Sequence, residues 1–374
     1  MVARALTDDA ALRLRLRAQR LCGARPTEVR GLLRGVGALQ AQDTAATRLA
    51  VRARSERLDA TAVTRACNEE RSVVRTWAMR GTLHMVPAEE VWWLIGLLGP
   101  GLVAGDRRRR LQLGLDDELC ARALPAIREI LRSEGALTRA ELVGQLAESG
   151  VRVTPTGQAP AHLVFYAATR GLICRGPDRD DDEPTYVLLE QWVGTRQPAW
   201  EPDAALAELA RRYIGAYGPA SAHDFAAWSG IALGNARRGL ALIAGELEAV
   251  EVAGEQMWVL ASRDLDGAAD EGAPCVRLLP RFDAYLLGYR SRELALPAQF
   301  ARHIQAGGGW IHPAMIVDGR IVGTWRQQRT RDGGILVVVR PFERLDRAIL
   351  PMLEAEAADV GRFLAVTATL SIEQ

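Results

Sequence analysis

The hydrophobic positions of this 374-residue chain follow a helical period and a strand period in turn. Near the N-terminus, apolar residues at helical spacing predict helices over Asp8–Leu21, Pro26–Leu33, Ala45–Arg54 and Leu58–Cys67. An alternating pattern then predicts a hairpin built from Val73–Arg80 and Thr82–Val86. Helices followed by a hairpin are typical of a winged helix, a relative of the helix-turn-helix.

The same order of elements recurs twice, and a repeated motif marks it. Gly135-Ala-Leu-Thr-Arg-Ala-Glu-Leu aligns with Gly218-Pro-Ala-Ser-Ala-His-Asp-Phe, and each copy contains a capping box that predicts a helix start. The flanking elements are predicted at Asp117–Leu131, His162–Arg170, Leu172–Arg175 and Tyr186–Leu189 in the first copy, and at Asp203–Tyr217, Ala232–Ile243, Leu247–Val252 and Gln256–Leu260 in the second. We therefore predict three winged helices in tandem.

From Val276 onward the pattern becomes strand-like. Met315–Val322 predicts a hairpin around an Asp318-Gly319 turn, Ile335–Val339 predicts another strand, and the alternation around Leu286 and Leu287 predicts a half-buried strand. With a helix over Leu345–Leu364, these elements predict a small β-barrel. The predicted fold class is α+β, with winged-helix units at residues 1–112, 113–198 and 199–262 and the barrel at residues 273–374.

Composition narrows the possible functions. The net charge of +1 does not fit a protein that coats nucleic acid nonspecifically. The five cysteines are scattered and never spaced as Cys-x-x-Cys, so we expect no metal and no cofactor. Apolar stretches are too short to span a membrane, and Met1–Arg20 lacks the core of a signal peptide. We expect a cytoplasmic monomer that does not bind membranes.

A Gln-Ala-Gln triplet, containing Gln40 and Gln42, lies between the apolar-leaning segment Gly31–Leu39 and the helix-like Ala45–Arg54. Side chains at i and i+2 share a face in an extended chain but diverge by about 200 degrees on a helix, so a joint role requires a turn or a kinked helix end. The alternatives are catalysis and helix-end hydrogen bonding. Asp43, which follows, is predicted to N-cap the next helix.

Four stretches of the chain resemble the bacterial winged-helix DNA glycosylases of the AlkZ and YcaQ type. They are Leu39-Gln-Ala-Gln-Asp, Arg75-Thr-Trp-Ala-Met-Arg-Gly-Thr-Leu-His, Leu278-Leu-Pro-Arg-Phe-Asp-Ala-Tyr-Leu-Leu-Gly-Tyr-Arg and Asp318-Gly-Arg-Ile-Val-Gly-Thr-Trp-Arg. The resemblance implies three tandem winged helices and a β-barrel, arranged as a C that holds duplex DNA. It also implies that Gln40 and Gln42 are catalytic, in the Gln-x-Gln form of the AlkZ branch.

Two neutral amides suit a particular substrate class. A purine alkylated at N7 or N3 is cationic and leaves without protonation, so the enzyme need only orient water and stabilise the sugar cation, as amide oxygens can. The chain contains no lysine, so apart from the N-terminal amine it has no amine for Schiff-base chemistry. We expect a monofunctional glycosylase, a hydrolase that acts on cationic alkylated purines. The resemblance implies bulky natural-product adducts or interstrand crosslinks as further substrates, and a role in DNA repair or in antibiotic self-resistance.

Other residues of the matching stretches are candidates for DNA contact. They are Arg75, Arg80 and His84 on the first hairpin, and Arg281, Asp283, Tyr285, Arg290, Asp318 and Arg320 in the C-terminal region. A structural role is the alternative for His84, and a half-buried strand is the alternative for residues 281–290. The Asp318-Gly319 hairpin is either a wedge into the minor groove or an ordinary strand pair.

A noncatalytic winged-helix regulator is the competing function. In such a protein the helices near His162 and Ala232 would lie in major grooves and contact bases. The segment Ala161–Ala168 is largely apolar and offers few groups able to contact base edges. The sequence therefore favours the glycosylase.

Overall fold

The computed structural model describes residues 3–179, 183–265 and 274–373. The chain divides into two compact units: unit 1 contains Met1–Val63 and Leu206–Gln374, and unit 2 contains Thr64–Ala205. Both units combine helices and strands, so the predicted α+β class is confirmed. None of the described helices is long and apolar enough to cross a membrane.

The N-terminal elements lie before and after the Gln-Ala-Gln triplet in sequence. In chain order they are β1 (Arg4–Leu6), α1 (Asp8–Ala18), α2 (Val29–Val36), β2 (Leu39–Gln40), α3 (Thr44–Arg54) and α4 (Ala60–Asn68). Helix α3 begins where Asp43 accepts a hydrogen bond from the Ala46 amide at 2.7 Å, which confirms the predicted N-cap.

Unit 2 continues the chain with the predicted hairpin and the first copy of the repeat. Its elements are β3 (Val73–Trp77), β4 (Leu83–Pro87), α5 (Val91–Gln112), α6 (Asp117–Glu134), β5 (Leu137–Thr138), α7 (Arg139–Glu148), α8 (Ala159–Thr169), β6 (Ile173–Arg175), β7 (Thr185–Leu188) and α9 (Leu189–Val193). Strands β5, β7 and β6 form a small sheet in that order. Thr138 and Glu141 make the predicted capping box.

Helix α8 packs against α5 through polar as well as apolar contacts. The Nδ1 atom of His162 lies 2.8 Å from an Asp106 carboxylate oxygen, and the Arg110 guanidinium lies 4.2 Å from the centre of the Tyr166 ring. Arg110 is itself buried. These contacts cover one face of α8.

The remaining elements complete unit 1. They are α10 (Pro202–Tyr217), α11 (Ala222–Ser229), α12 (Leu233–Leu242), β8 (Leu247–Val252), β9 (Glu255–Leu260), β10 (Val276–Leu279), α13 (Ala284–Leu287), α14 (Ala301–Ile304), β11 (Gln305–Gly307), β12 (Trp310–Ile311), β13 (Ala314–Val317), β14 (Arg320–Arg329), β15 (Ile335–Pro341), α15 (Leu350–Leu364) and β16 (Ala368–Ile372). Ser221 and Asp224 form the second predicted capping box. Ala220 bridges Trp258 of β9, so the second copy repeats the element order of the first.

The C-terminal strands form a five-stranded sheet in the order β10-β13-β14-β15-β16. The predicted Asp318-Gly319 turn is confirmed, and it has left-handed φ values of 48° and 86°. Helix α15 buries Leu353, Val360 and Phe363. A barrel was predicted here, but within the described ranges no pairing joins β10 to β16 and the sheet is open.

The predicted strand around Leu286 and Leu287 is wrong, because the structure has the short helix α13 there. The Asp283 carboxylate accepts a hydrogen bond from the Tyr285 amide at 2.9 Å and starts this helix. Ala284, Tyr285 and Leu286 are all buried, so the alternation in sequence does not correspond to an exposed and a buried face.

Candidate active site

The Gln-Ala-Gln triplet connects β2 to α3 in unit 1. Gln40 ends the strand, Ala41 is buried, and Gln42 lies at a bend before the Asp43 cap. The side chains of Gln40 and Gln42 contact each other, while Ala41 between them is buried, so the two glutamines lie on the same side of the chain. This is the geometry that the spacing predicted for a joint role.

The two amides are hydrogen-bonded to each other. The Nε2 atom of Gln40 donates to the Oε1 atom of Gln42. In this bond Gln40 is the donor, so its own Oε1 atom keeps both lone pairs for accepting hydrogen bonds. Gln40 is half-buried and Gln42 is exposed, so the pair is accessible to solvent and to a ligand.

Thr47 fixes the backbone that carries the pair. Its hydroxyl lies 2.9 Å from the carbonyl oxygen of Gln40 and 2.7 Å from that of Asp43, and donates a shared hydrogen bond to them. Thr47 is buried in the first turn of α3. The sequence analysis missed Thr47; the signal for it was a threonine four positions after the predicted N-cap, which is placed to bond back to the turn.

The far end of α3 is fixed by two buried arginines. Arg52 bonds to Glu356 at 3.1 Å and to the Leu278 carbonyl at 2.7 Å. Arg54 bonds to both carboxylate oxygens of Asp283, at 2.8 and 2.7 Å. These bonds link α3 to α15, β10 and α13, so the helix that begins at the triplet is fixed at both ends.

A cation and an exposed aromatic ring lie beside the triplet. Arg281 forms an ion pair with Asp43, and its guanidinium lies 5.9 Å from the centre of the Trp310 ring. Trp310 is 52% exposed and also contacts Phe282. The sequence analysis missed Trp310; the signal for it was a large aromatic residue directly after three glycines, where a core position is not expected.

Two other predicted DNA-contact residues of unit 1, Asp283 and Tyr285, have structural contacts inside the fold. Asp283 and Tyr285 are buried, and the Tyr285 hydroxyl donates to the Gly319 carbonyl at 2.8 Å. Gly319 is packed so closely that an added Cβ would lie 2.9 Å from Leu12.

Three further candidates of unit 1 have polar partners. Asp318 accepts a hydrogen bond from the Cys275 amide at 2.8 Å. Arg320 is exposed and pairs with Asp9 at 2.8 Å. The side chain of Arg290 is exposed, while its backbone amide donates to Asp224 at 2.8 Å.

The candidates of unit 2 lie on the β3–β4 hairpin. Arg75 bonds to Asp178 at 2.5 Å and to the Gly176 carbonyl at 2.6 Å. Burial opposes the charge on Arg75, but the hydrogen bond and negative charge of Asp178 outweigh burial and raise the pKa. Arg80 is half-exposed in the turn between the strands, with a φ of 56°.

His84 on the same hairpin is completely enclosed. Its Nδ1 atom lies 2.9 Å from the Thr82 carbonyl, which the neutral ring can satisfy by donating. Burial and the charge of Arg80 lower the pKa of His84 to about 3. The ring is therefore neutral at physiological pH.

The described ranges contain no set of side chains arranged to bind a metal ion. No group of three or more His, Cys, Asp or Glu side chains is arranged there to hold a metal ion. The polar groups described above at the triplet are the two amides, the Asp43 carboxylate, the Arg281 guanidinium and the Thr47 hydroxyl. These groups can orient water and stabilise charge by hydrogen bonding.

Comparison with known proteins gives the class of this chain. The family model described as DNA glycosylase AlkZ-like matches residues 33–363. The chain belongs to the AlkZ-like DNA glycosylase family, as the four stretches of sequence indicated.

Two relatives from Streptomyces sahachiroi show how close the match is. A curated protein described as an interstrand DNA cross-link repair glycosylase is 30% identical, and the match covers 78% of this chain and 79% of that protein. The solved structure of the S. sahachiroi DNA glycosylase AlkZ matches with a TM-score of 0.84 at 27% identity, covering 99% of this chain and 100% of that one.

Proposed function

We propose that this protein is a monofunctional DNA glycosylase that hydrolyses the N-glycosidic bond of purines alkylated at N7 or N3. The observation that carries the proposal is the hydrogen-bonded pair of Gln40 and Gln42 on a rigid turn, in a chain of the AlkZ-like family. A fixed amide pair in an accessible position can bind a water molecule and direct it at a sugar carbon.

In the proposed mechanism, Gln42 holds the Gln40 amide so that the Gln40 oxygen accepts a hydrogen bond from the attacking water. Water adds to C1′ of the deoxyribose as the base departs with the electrons of the glycosidic bond. Those electrons neutralise the cationic purine, and the water proton passes to solvent. The amide dipoles stabilise the positive charge that develops on the sugar.

This mechanism limits the range of bases. A neutral base such as uracil leaves as an anion and needs an acid or strong electrostatic help, and an amide pair supplies neither. A cationic alkylpurine supplies its own activation. The exposed position of Gln42 favours large adducts, including interstrand crosslinks, because the lesion need not enter a closed base-sized pocket.

We propose that duplex DNA contacts the exposed residues beside the triplet. Arg281 can neutralise a phosphate, and Trp310 offers a flat apolar surface to a base or sugar. We assign contact roles also to Arg80, Arg290 and Arg320, whose side chains are half or fully exposed. In unit 1, the buried Asp283 and Tyr285 have structural roles, as does Asp318 through its bond to Cys275. In unit 2, the buried His84 and the Arg75 side chain, which bonds to Gly176, have structural roles as well.

We infer that the repeated element order corresponds to winged helices used as scaffold. Each copy has a helix, a strand or bridge, two more helices and two strands, which is the winged-helix order. In a sequence-specific regulator α8 would enter the major groove, yet it is covered by α5 through His162 and Tyr166. This packing favours the glycosylase over the regulator.

The deciding experiment incubates the purified protein with duplexes that carry 7-methylguanine, a bulky N7-guanine adduct or uracil. We expect release of both alkylated bases and none of uracil. Heating in alkali should then cleave the strand at abasic sites that were intact before treatment. Efficient uracil release would contradict the amide mechanism, and cleavage without alkali with trapping by borohydride would contradict the monofunctional assignment. Specific duplex binding without any base release would favour the regulator.

A further inference from the structure

Two cysteines that are far apart in sequence meet inside unit 1. Cys22 follows α1, and Cys275 directly precedes β10. Cys275 belongs to the apolar cluster that contains Leu21 and Leu279, and Cys22 packs against this cluster. The Cys275 thiol donates to the carbonyl oxygen of Leu21, the residue before Cys22, at 3.4 Å. The two thiol groups are hydrogen-bonded to each other.

The two sulfur atoms differ in chemical character. The hydrogen bond from Cys275 lowers the pKa of Cys22 to about 6 against the effect of burial, with help from the charges of Arg277 on β10 and Arg17 on α1. The same hydrogen bond and burial raise the pKa of Cys275, to which the carboxylate of Glu356 on α15 adds. At neutral pH, Cys22 is therefore the more readily ionised sulfur of the pair, and Cys275 is the one held as a thiol.

The two cysteines also differ in their exposure to solvent. Cys22 is partly exposed, while Cys67, Cys120, Cys174 and Cys275 are buried. A small oxidant in solution can therefore reach Cys22 before any other cysteine. An accessible thiolate in contact with a second thiol is the arrangement of cysteines that oxidise reversibly.

We propose that Cys22 and Cys275 are an oxidation-sensitive dithiol that peroxide converts to a disulfide. The Cys22 thiolate attacks one oxygen of hydrogen peroxide, the O–O bond breaks, and Cys22 becomes a sulfenic acid with release of hydroxide. The sulfur of Cys275 then attacks the sulfenic sulfur, the S–O bond breaks, and the proton of Cys275 and the departing hydroxide form water. In sum, two thiols and one peroxide give one disulfide and two waters.

Loss of the Cys22 thiolate favours the second step. Once Cys22 is oxidised, its hydrogen bond and negative charge no longer raise the pKa of Cys275, so this pKa falls; burial still raises it, and the charge of Arg277 lowers it. The disulfide would join the end of α1 to the start of β10 and restrict both segments in the unfolded chain. This inference does not depend on the proposed function, because neither cysteine touches Gln40 or Gln42.

The test treats the native full-length protein with a small excess of hydrogen peroxide and then labels all free thiols with N-ethylmaleimide in denaturant. We expect five labels before oxidation and three after it, a linked peptide pair containing Cys22 and Cys275, and return to five after dithiothreitol. In Cys275→Ser, oxidation should stop at a Cys22 sulfenic acid that dimedone traps. Five labels after oxidation, or a link between other cysteines, would overturn the proposal.

A second measurement covers the case in which a serine variant folds poorly. The rate of iodoacetamide alkylation at Cys22 in the native wild-type protein should rise with pH around a midpoint near 6. In denatured protein the midpoint should lie at about 8.5, the value of a free cysteine. A native midpoint equal to the denatured one would show that Cys275 does not activate Cys22, and would also overturn the proposal.

Discussion

The guanidinium of Arg54 donates to both carboxylate oxygens of Asp283, and both side chains are fully buried. Arg54 is the last residue of α3, the helix that begins directly after the Gln-Ala-Gln triplet, and Asp283 caps α13. Gln19 joins the pair by accepting from Arg54 at 3.0 Å and donating to the Ala216 carbonyl at 2.7 Å. Three segments distant from one another in sequence, those of Gln19, Ala216 and Asp283, are thereby connected to the helix that follows the candidate site.

We expect Arg54→Ala to lower the free energy of unfolding by about 3–5 kcal/mol, because it leaves the Asp283 carboxylate buried without its cation. The double variant Arg54→Met with Asp283→Leu should recover much of the loss. Arg65→Ala is the matched control: its ion pair with Glu70 is about half exposed, so removing it should cost at most about 1 kcal/mol. Urea denaturation measures all three, and a loss no larger than that of the control would refute a central role for the pair.

We expect Gln40→Ala and Gln42→Ala each to slow base excision about ten- to a thousandfold, which corresponds to an activation free energy higher by about 1.4–4 kcal/mol. Affinity for duplex DNA should change little, because the amides act on water and on the developing charge. Gln42→Glu should retain more activity than Gln42→Ala, since it still accepts from Gln40. Gln328→Ala, at an exposed position on β14, is the control. Wild-type rates in both alanine variants would place catalysis elsewhere.

We expect Thr47→Val to slow excision several-fold, on the order of 1 kcal/mol, because the isosteric side chain cannot donate to the carbonyls of Gln40 and Asp43. Thr47→Ser restores the hydroxyl and should restore the rate. Single-turnover kinetics and DNA binding measured on both variants separate positioning from binding. If serine and valine behave alike, the hydroxyl does not position the triplet.

Stability at acid pH should depend on His84. Its folded pKa of about 3 lies below that of an exposed histidine, so between these values the unfolded chain binds more protons than the folded one. Acidification from pH 7 towards pH 4 should therefore lower the free energy of unfolding, and His84 should contribute up to about 1.4 kcal/mol per pH unit to this loss. His84→Asn keeps a donor for the Thr82 carbonyl but does not titrate, so its stability should fall less steeply. If the free energy of unfolding depends on pH in the same way in the wild type and in His84→Asn, His84 does not cause the loss of stability in acid.

The sequence by itself determined the features that depend on neighbouring residues. The caps at Thr138, Ser221 and Asp43, the Asp318-Gly319 turn and the shared face of the two glutamines are all confirmed. Each rests on hydrogen bonds or steric limits within about four residues, which the local sequence fully specifies. The family could be identified from the sequence for the same reason, because its motifs are short continuous stretches.

The tertiary structure decided everything that depends on which distant group lies opposite a side chain. Arg54 binds Asp283, which lies 229 residues away in sequence, and Asp283 is a buried helix cap where a half-buried strand was predicted. Arg281 and Trp310 meet beside Asp43, and Cys22 meets Cys275, although nothing in their own segments indicates a partner. A buried charge is stable only where its counter-charge is supplied, and which segment supplies it is set by the packing of the whole chain.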